Sequence, residues 1–319
     1  MGKQHNGEIL EGTVIRATGS WFDVQADGRV IPSRVRGKFR LAGMDTTSPV
    51  VVGDRVRVRL NPDGTGLIVD VHPRRNELSR RAAGRRHSLR HVIAANIDFV
   101  WIVQAVHLPE PNPGFIDRVL VAAERYEIPA GLILNKIDLM TEEDRPAIDA
   151  LERLYADLGY RVLRTSVVTG EGLDALREAL RGKTSVVTGP SGVGKSSLLN
   201  AIEPDLNIRT APVSEKTGKG RHTTTYVALY PLSIGGFVVD TPGLREFGVT
   251  DLEPAELSHY FVEFRPYLSA CHFPDCTHEH EPDCAVKAAV ASGEISEERY
   301  YSYLNILHSL KLGEKDVGR

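Results

Sequence analysis

The chain is poor in cysteine, with three among 319 residues, and about as poor in methionine and tryptophan, with three and two. All three cysteines fall between Cys271 and Cys284. An odd, crowded set of that kind excludes a disulfide framework and points to a metal instead. Long apolar runs are missing too, and no stretch approaches the ~20 residues that carry a helix across a bilayer. The opening MGKQHNGEIL has one lysine and no apolar stretch. That does not match a secretory signal, so the expected location is the cytoplasm, with no membrane partner. What is present, 41% hydrophobic and 25% charged residues, excludes a chain disordered throughout. At roughly 100–200 residues per domain, the length allows two or three domains.

A net charge of −3 hides a division. Residues 1–95 carry 17 Lys and Arg against 9 Asp and Glu, a net of +8, and the remainder carries a net of −11. A basic N-terminal third is the electrostatic footprint of a nucleic-acid partner; the plainer reading is an Arg-rich solvated surface. Within it, EGTVIRA, SWFDVQA, GRVIPSRV, VVVGDRVRVRL and GTGLIVDV read as five short strands separated by turn signals. In the fourth, Val56 and Val58 alternate with Arg55, Arg57 and Arg59, which puts valines inward and arginines outward. Five short strands in so few residues predict a small β-barrel of the OB type. Trp21, Phe22 and Phe39 are either stacking platforms for bases or barrel filling. Residues 73–91 carry seven arginines and one acid without apolar periodicity. They read as a basic linker loop whose Arg pairs meet phosphates.

From about residue 96 the pattern changes. DFVWIVQAV, AGLILN, YRVLRTS, TSVVTG and GGFVVD are buried-strand runs separated by helical stretches, which predicts an α/β domain with a mostly parallel sheet. Its ligand site belongs at the carboxyl ends of the strands. Gly189-Pro190-Ser191-Gly192-Val193-Gly194-Lys195-Ser196 follows one of these strands and opens the helix SSLLNAI, beginning with Ser196 and Ser197. This is G-x-x-x-x-G-K-[ST] in its strand–loop–helix setting. Its glycines let backbone N–H groups surround phosphate oxygens, and the helix N-terminus adds its positive dipole end. Lys195 is expected to reach the β- and γ-phosphates, and the Ser196 hydroxyl to hold Mg²⁺.

Asn135-Lys136-Ile137-Asp138, at the end of the strand AGLIL, selects the base. A carboxylate at Asp138 accepts from both N1–H and the 2-amino group of guanine, whereas adenine offers neither donor. Lys136 is placed to lie over the base, and Asn135 to tie this loop to the phosphate loop. Thr165-Ser166-Val167 ends the next strand and is placed to offer N–H to the guanine carbonyl. Asp240-Thr241-Pro242-Gly243 follows GGFVV. Asp240 suits the magnesium role of a Walker B acid, and the Gly243 N–H suits the γ-phosphate. One threonine of Gly218-Lys-Gly-Arg-His-Thr-Thr-Thr225 completes the magnesium shell; Thr224 is the first choice, with Thr223 and Thr225 as alternatives. After D-x-x-G stands Leu244, which cannot orient a water; His222 in the threonine-rich segment is the nearest candidate for that task, the plainer reading being a turn cap or an RNA contact.

The guanine motif precedes the phosphate loop, the reverse of a small GTPase. A circularly permuted domain brings the loops together all the same, because the termini of compact domains often lie close. Downstream, Cys271-x(4)-Cys276-x-His278-x(5)-Cys284 has the ligand types and crowding of a closed Cys₃His zinc site; His272 and His280 stand near enough to replace His278. Tyr300, Tyr303, Leu304 and Leu307 recur at helical steps and read as a packing face.

Taken together these features resemble the RsgA family, the ribosome small-subunit-dependent GTPases, over nearly the whole chain. One departure is TSV where an SA-type pair is common. The resemblance implies a late assembly factor whose GTP hydrolysis is slow alone and stimulated by the small ribosomal subunit, with that subunit and its rRNA, GTP and GDP as partners. It also implies one structural Zn²⁺ and Mg²⁺ with the nucleotide, and a monomer is expected. The expected layout is an OB-fold at 1–72, a basic linker at 73–95, a circularly permuted P-loop GTPase domain at 96–249 and a small helical zinc-binding domain at 250–319. A large-subunit assembly GTPase and a non-enzymatic RNA-binding scaffold remain as competing readings.

Overall fold

The computed structural model describes residues 8–35, 48–81, 90–206, 208, 227–240 and 252–312, with backbone only at 79–81, 90, 91 and 240. The described chain divides into two compact units. One comprises residues 1–98 with 180–186 and 216–243; the other comprises 99–179 with 187–215 and 244–319.

In the first unit, alternating short strands close a barrel. They are β1 (Ile9–Thr18), β2 (Trp21–Ala26), β3 (Arg29–Val35), β4 (Arg55–Leu60) and β5 (Gly66–Val71). β1 pairs with both β2 and β4, β2 with β3, and β5 with both β3 and β4, the β3–β5 pairing being parallel. The period of two fills the interior with Leu10, Val14, Phe22, Val24, Ile31, Val56, Val58 and Ile68. Arg55 and Arg57 face outward beside the fully buried Val56 and Val58. Phe22 is barrel filling, whereas Trp21 is 39% exposed; Phe39 lies outside the described residues.

The linker reading needs correction. Residues 77–95 contain an antiparallel ribbon, β6 (Glu77–Arg81) paired with β7 (Arg90–Ala95). Leu78, Val92, Ala94 and Ala95 are buried, and Val92 and Ala95 pack with Val51. The arginines on these strands mask so short an apolar pattern in the sequence. Nor is the first Arg pair spare charge for phosphate. Arg74 forks onto the fully buried Asp54 at 2.7 and 3.0 Å and also reaches Glu77 at 2.9 Å. Arg75 bonds Asp98 at 2.7 Å. Asp54 also accepts from the Val51 N–H, so removing Arg74 would strand a buried carboxylate.

The second unit begins with three parallel strands, β8 (Phe99–Ala105), β9 (Ala130–Asn135) and β10 (Arg161–Thr165), with β9 central. The connections carry α1 (Pro113–Arg125) and α2 (Arg145–Asp157). α1 starts where Asn112 caps the Phe115 N–H and Pro113 takes the first turn, a position whose N–H needs no partner. After α3 (Leu173–Leu180), β11 (Thr184–Thr188) leads to the phosphate loop and α4 (Lys195–Ile202). In the first unit, the start of β11 pairs in parallel with β13 (Phe237–Asp240), and an antiparallel strand not foreseen from the sequence, β12 (Ala228–Pro231), lies beside β13.

The C-terminal part of the second unit contains α5 (Arg265–Leu268), α6 (Ala285–Ala291) and α7 (Glu297–Leu312). Leu257, Phe261, Phe264, Val286, Tyr303, Ile306 and Leu307 form its core, together with Val121 of α1. Tyr300 and Leu304 pack partly buried against that core. No helix among the described residues is long and apolar enough to cross a membrane.

Candidate functional site

Three loops of the second unit meet at the carboxyl ends of its strands. Asn135, the last residue of β9, is 2% exposed. Its amide donates to the Val193 carbonyl of the phosphate loop at 2.9 Å, and its Oδ1 accepts from the Thr165 hydroxyl at the end of β10, also at 2.9 Å. One side chain therefore joins the N-K-x-D loop, the G-K-S loop and the TSV segment.

The phosphate loop is shaped by two close approaches. A Cβ on Gly194 would lie 2.5 Å from the Asn135 amide nitrogen, at a φ of +92° that disfavours side chains. A Cβ on Gly189 would lie 2.2 Å from the Val103 carbonyl of β8. Val193 is fully buried beneath the loop. Lys195 opens α4, and its ammonium donates to the Gly189 and Pro190 carbonyls at 2.7 Å each, drawn back over its own loop. Ser196 and Ser197 occupy the first turn of α4, whose positive dipole end favours anions. Ser191 is exposed, and Pro190 and Gly192 are half-buried.

In the guanine motif, Lys136 adopts the left-handed conformation, φ +62°, which is uncommon for a side chain of this kind and recurs at functional sites. Its ammonium donates to the Leu108 carbonyl at 2.6 Å; burial pushes its pKa down and Asp138 opposes that shift. Ile137 and Asp138 lie in a single 3₁₀ turn, Ile137–Leu139. The Ser166 hydroxyl donates to Asp138 Oδ1 at 2.5 Å and accepts from the Val168 and Thr169 N–H groups. Sequence reasoning gave Ser166 only a backbone role; its hydroxyl orients the carboxylate. Thr165 and the Leu108 carbonyl were not foreseen as supports. A polar residue at a strand end is the only sequence signal Thr165 offers, and a carbonyl offers none.

Asp240 is the last residue of β13 and is described by its backbone alone. His222, Thr223, Thr224, Thr225 and Gly243 lie outside the described residues.

The second cluster sits between α5 and α7. The ligand atoms of Cys271, Cys276, His278 and Cys284 lie within 4.8 Å of one another. Cys271 and Cys284 sulfurs are 3.9 Å apart, and His278 Nδ1 lies 3.6 and 3.3 Å from them. A tetrahedron with metal–sulfur and metal–nitrogen bonds of about 2.3 and 2.0 Å has edges of roughly 3.5–3.8 Å, so the four fit a metal ion. His278 is 2% exposed, while His272 and His280 are exposed. Burial and then neighbouring thiols push the Cys276 thiol up to about 12, and burial also raises Cys284; a central cation reverses that cost by binding thiolates. Two tyrosines of α7 hold the ligand loop, Tyr300 donating to the His278 carbonyl and Tyr303 to the Thr277 carbonyl, each at 2.7 Å. The packing face of α7 thus also supports the metal loop.

A G-K-S loop tied to an N-K-x-D loop that lies earlier in the chain defines a P-loop GTPase with circularly permuted motifs. Comparison with known proteins agrees. Residues 71–250 match the RsgA GTPase family pattern, and residues 11–68 match the RsgA N-terminal domain. The chain belongs to the RsgA GTPase family. It is 42% identical over 306 residues to the small ribosomal subunit biogenesis GTPase RsgA of Bacteroides fragilis, covering 96% of this chain and 98% of that protein. The protein of the same name from Flavobacterium johnsoniae is 42% identical, with 93% of each chain covered. Among solved structures, YjeQ from Thermotoga maritima superposes with a TM-score of 0.79 at 38% identity, covering 98% of this chain and all of that one. YloQ, described as a circularly permuted GTPase, superposes with a TM-score of 0.75 at 31% identity, covering 98% of each chain.

Proposed function

We propose that this GTPase acts late in the maturation of the small ribosomal subunit, hydrolysing GTP to GDP and phosphate when the subunit stimulates it and then leaving. The single observation that carries the reading is the Asn135 bridge to Val193, which makes base selection and phosphate handling one site. The names of the relatives supply the subunit as the surface on which that chemistry is used.

In this reading Asp138 selects guanine and Lys195 steadies the phosphate charge. Ser196 and one of Thr223, Thr224 and Thr225 hold Mg²⁺, which neutralises charge developing on the transferred phosphoryl group. Asp240 supports the ion, Gly243 meets the γ-phosphate, and His222 positions the attacking water. Cys271, Cys276, His278 and Cys284 hold one structural Zn²⁺. The N-terminal barrel, taken as residues 1–72, meets rRNA with the basic 73–95 segment; the GTPase domain spans 96–249 and the zinc domain 250–319. The protein works as a cytoplasmic monomer.

Pelleting with separated ribosomal subunits, with GTP turnover followed in parallel, tests the function. Binding and stimulation by small subunits alone support it, and equal response to large subunits overturns it. Binding without turnover leaves only a scaffold. For His222, single-turnover hydrolysis on saturating small subunits decides. His222→Ala should keep GTP affinity and subunit binding but lose most of the stimulated rate; an unchanged rate removes His222 from the step.

A further inference from the structure

Among the described residues, the barrel carries one large aromatic on its outer face. Trp21 begins β2, directly after the β1–β2 turn, and is 39% exposed; the other tryptophan, Trp101, is 1% exposed in the core. Strand alternation sends Phe22, Val24 and Ala26 inward and leaves Trp21, Asp23 and Gln25 outward. The Arg34 guanidinium of β3 lies 4.1 Å from the Trp21 ring centre. Next along the same face, Asp23 pairs across the strands with Pro32, and Arg16 of β1 reaches Asp23 at 3.7 Å. A cation thus lies over the Trp21 ring, within a chain segment of net charge +8.

The geometry points to Trp21 and Arg34 as a stacking platform for an unpaired base of single-stranded RNA. This assignment rests on the rRNA-facing role proposed for the barrel. Every base has a π-face that stacks on an indole, and a guanidinium plane stacks likewise while attracting the phosphodiester. The strand 2–3 face of a five-stranded barrel is the one that meets oligonucleotides in this architecture. Bases inside a duplex are already stacked on one another, so the platform selects looped-out or single-stranded RNA. Arg16 lies on the same face, its side chain more than half exposed and paired with Asp23.

Tryptophan emission reads this directly, because only Trp21 is exposed. Unstructured RNA oligonucleotides should quench the emission of the full-length protein saturably. A duplex of the same length should not, and Trp21→Phe should abolish the response. Trp21→Ala should weaken oligonucleotide and small-subunit binding about five- to a hundredfold, the range that single base–aromatic stacks span. Arg34→Ala should weaken both less, and Trp21→Phe should retain most of the affinity. Intrinsic GTP turnover should be unchanged in all three, since neither residue belongs to the nucleotide loops. Wild-type affinity in Trp21→Ala, or equal quenching by duplex RNA, overturns the assignment. Weakened subunit binding without oligonucleotide quenching also overturns it and gives the patch to a ribosomal protein. Failure of the wild-type protein to pellet with small subunits strikes the proposed function, while the oligonucleotide arm still decides this one.

Discussion

Asp138 and Arg299 show two different ways a single charged residue matters. Asp138, in the N-K-x-D loop proposed to select guanine, is exposed and held by Ser166. Asp138→Asn reverses one donor–acceptor pair with guanine, and mispaired polar groups cost ~1–3 kcal/mol. GTP affinity should fall at least several-fold, with preference moving toward xanthine nucleotide; equilibrium nucleotide binding checks this. Arg299 of α7 is instead buried. It binds Asp117 of α1 and, at 2.6 Å, Glu263, while the Tyr155 hydroxyl donates to Asp117 at 2.7 Å. Its guanidinium also lies 4.5 Å over the Phe261 ring. Arg299→Met would leave two buried carboxylates without their cation, at a cost of about 3–5 kcal/mol. Adding Asp117→Asn and Glu263→Gln should recover much of that loss in urea unfolding, which a purely steric effect would not allow.

At the scale of an element, the loop between α5 and α6 has too little apolar content to hold itself and relies on its ligands and on carboxylate knots. Chelation, or Cys276→Ala, should therefore unfold the C-terminal helices while leaving nucleotide binding in place. Elemental analysis of the purified protein and nucleotide titration of the variant are the checks. Undiminished metal content in Cys276→Ala would exclude the cluster as the binding site. Glu281 adds a pH dependence. Burial works to raise its pKa, but the Thr277 hydroxyl and N–H and the Glu279 N–H donate to its carboxylate and bring it down to about 2. The ordinary value is about 4.5. The stabilisation it gives is thus complete above that value and is lost as the pH falls toward 2. Thermal melts between pH 6 and 3 should show a steeper acid loss for the native chain than for Glu281→Gln.

At the scale of the whole molecule, charge is unevenly shared, and the proposed binding of RNA by the basic N-terminal third would release counterions. Small-subunit affinity should fall steeply with salt, and each phosphate contact removed should lower the log–log slope by about 0.9. Arg55 is the arginine to neutralise, since it is exposed on β4, whereas Arg57 beside it already pairs with Glu11 and Asp70. Arg74 and Arg75 are poor choices because Asp54, Glu77 and Asp98 already hold them. Cutting the chain near residue 92 is likewise a blunt test. It would remove the partners of Val92 and Ala95, and of Asn96, whose amide donates to the Gly53 carbonyl.

The sequence alone determined the permuted order of the nucleotide motifs, the strand runs of the barrel and sheet, and the crowding of the metal ligands. Each of these is written within a few consecutive residues. A phosphate loop uses adjacent backbone N–H groups, a strand shows its period over five or six positions, and a metal loop closes within fourteen. Tertiary structure decided what depends on residues far apart. It buried His278 rather than His272 or His280, and it gave Arg74 to Asp54. It paired β6 with β7 where only charge was legible, and turned the Ser166 hydroxyl onto Asp138. It also set Arg299 against Asp117, 182 positions away. A charged or hydroxyl side chain carries no sign in the sequence of which distant partner will satisfy it. Only the packing of strands and helices selects that partner, because an unpaired polar group inside the fold costs more than the contact returns.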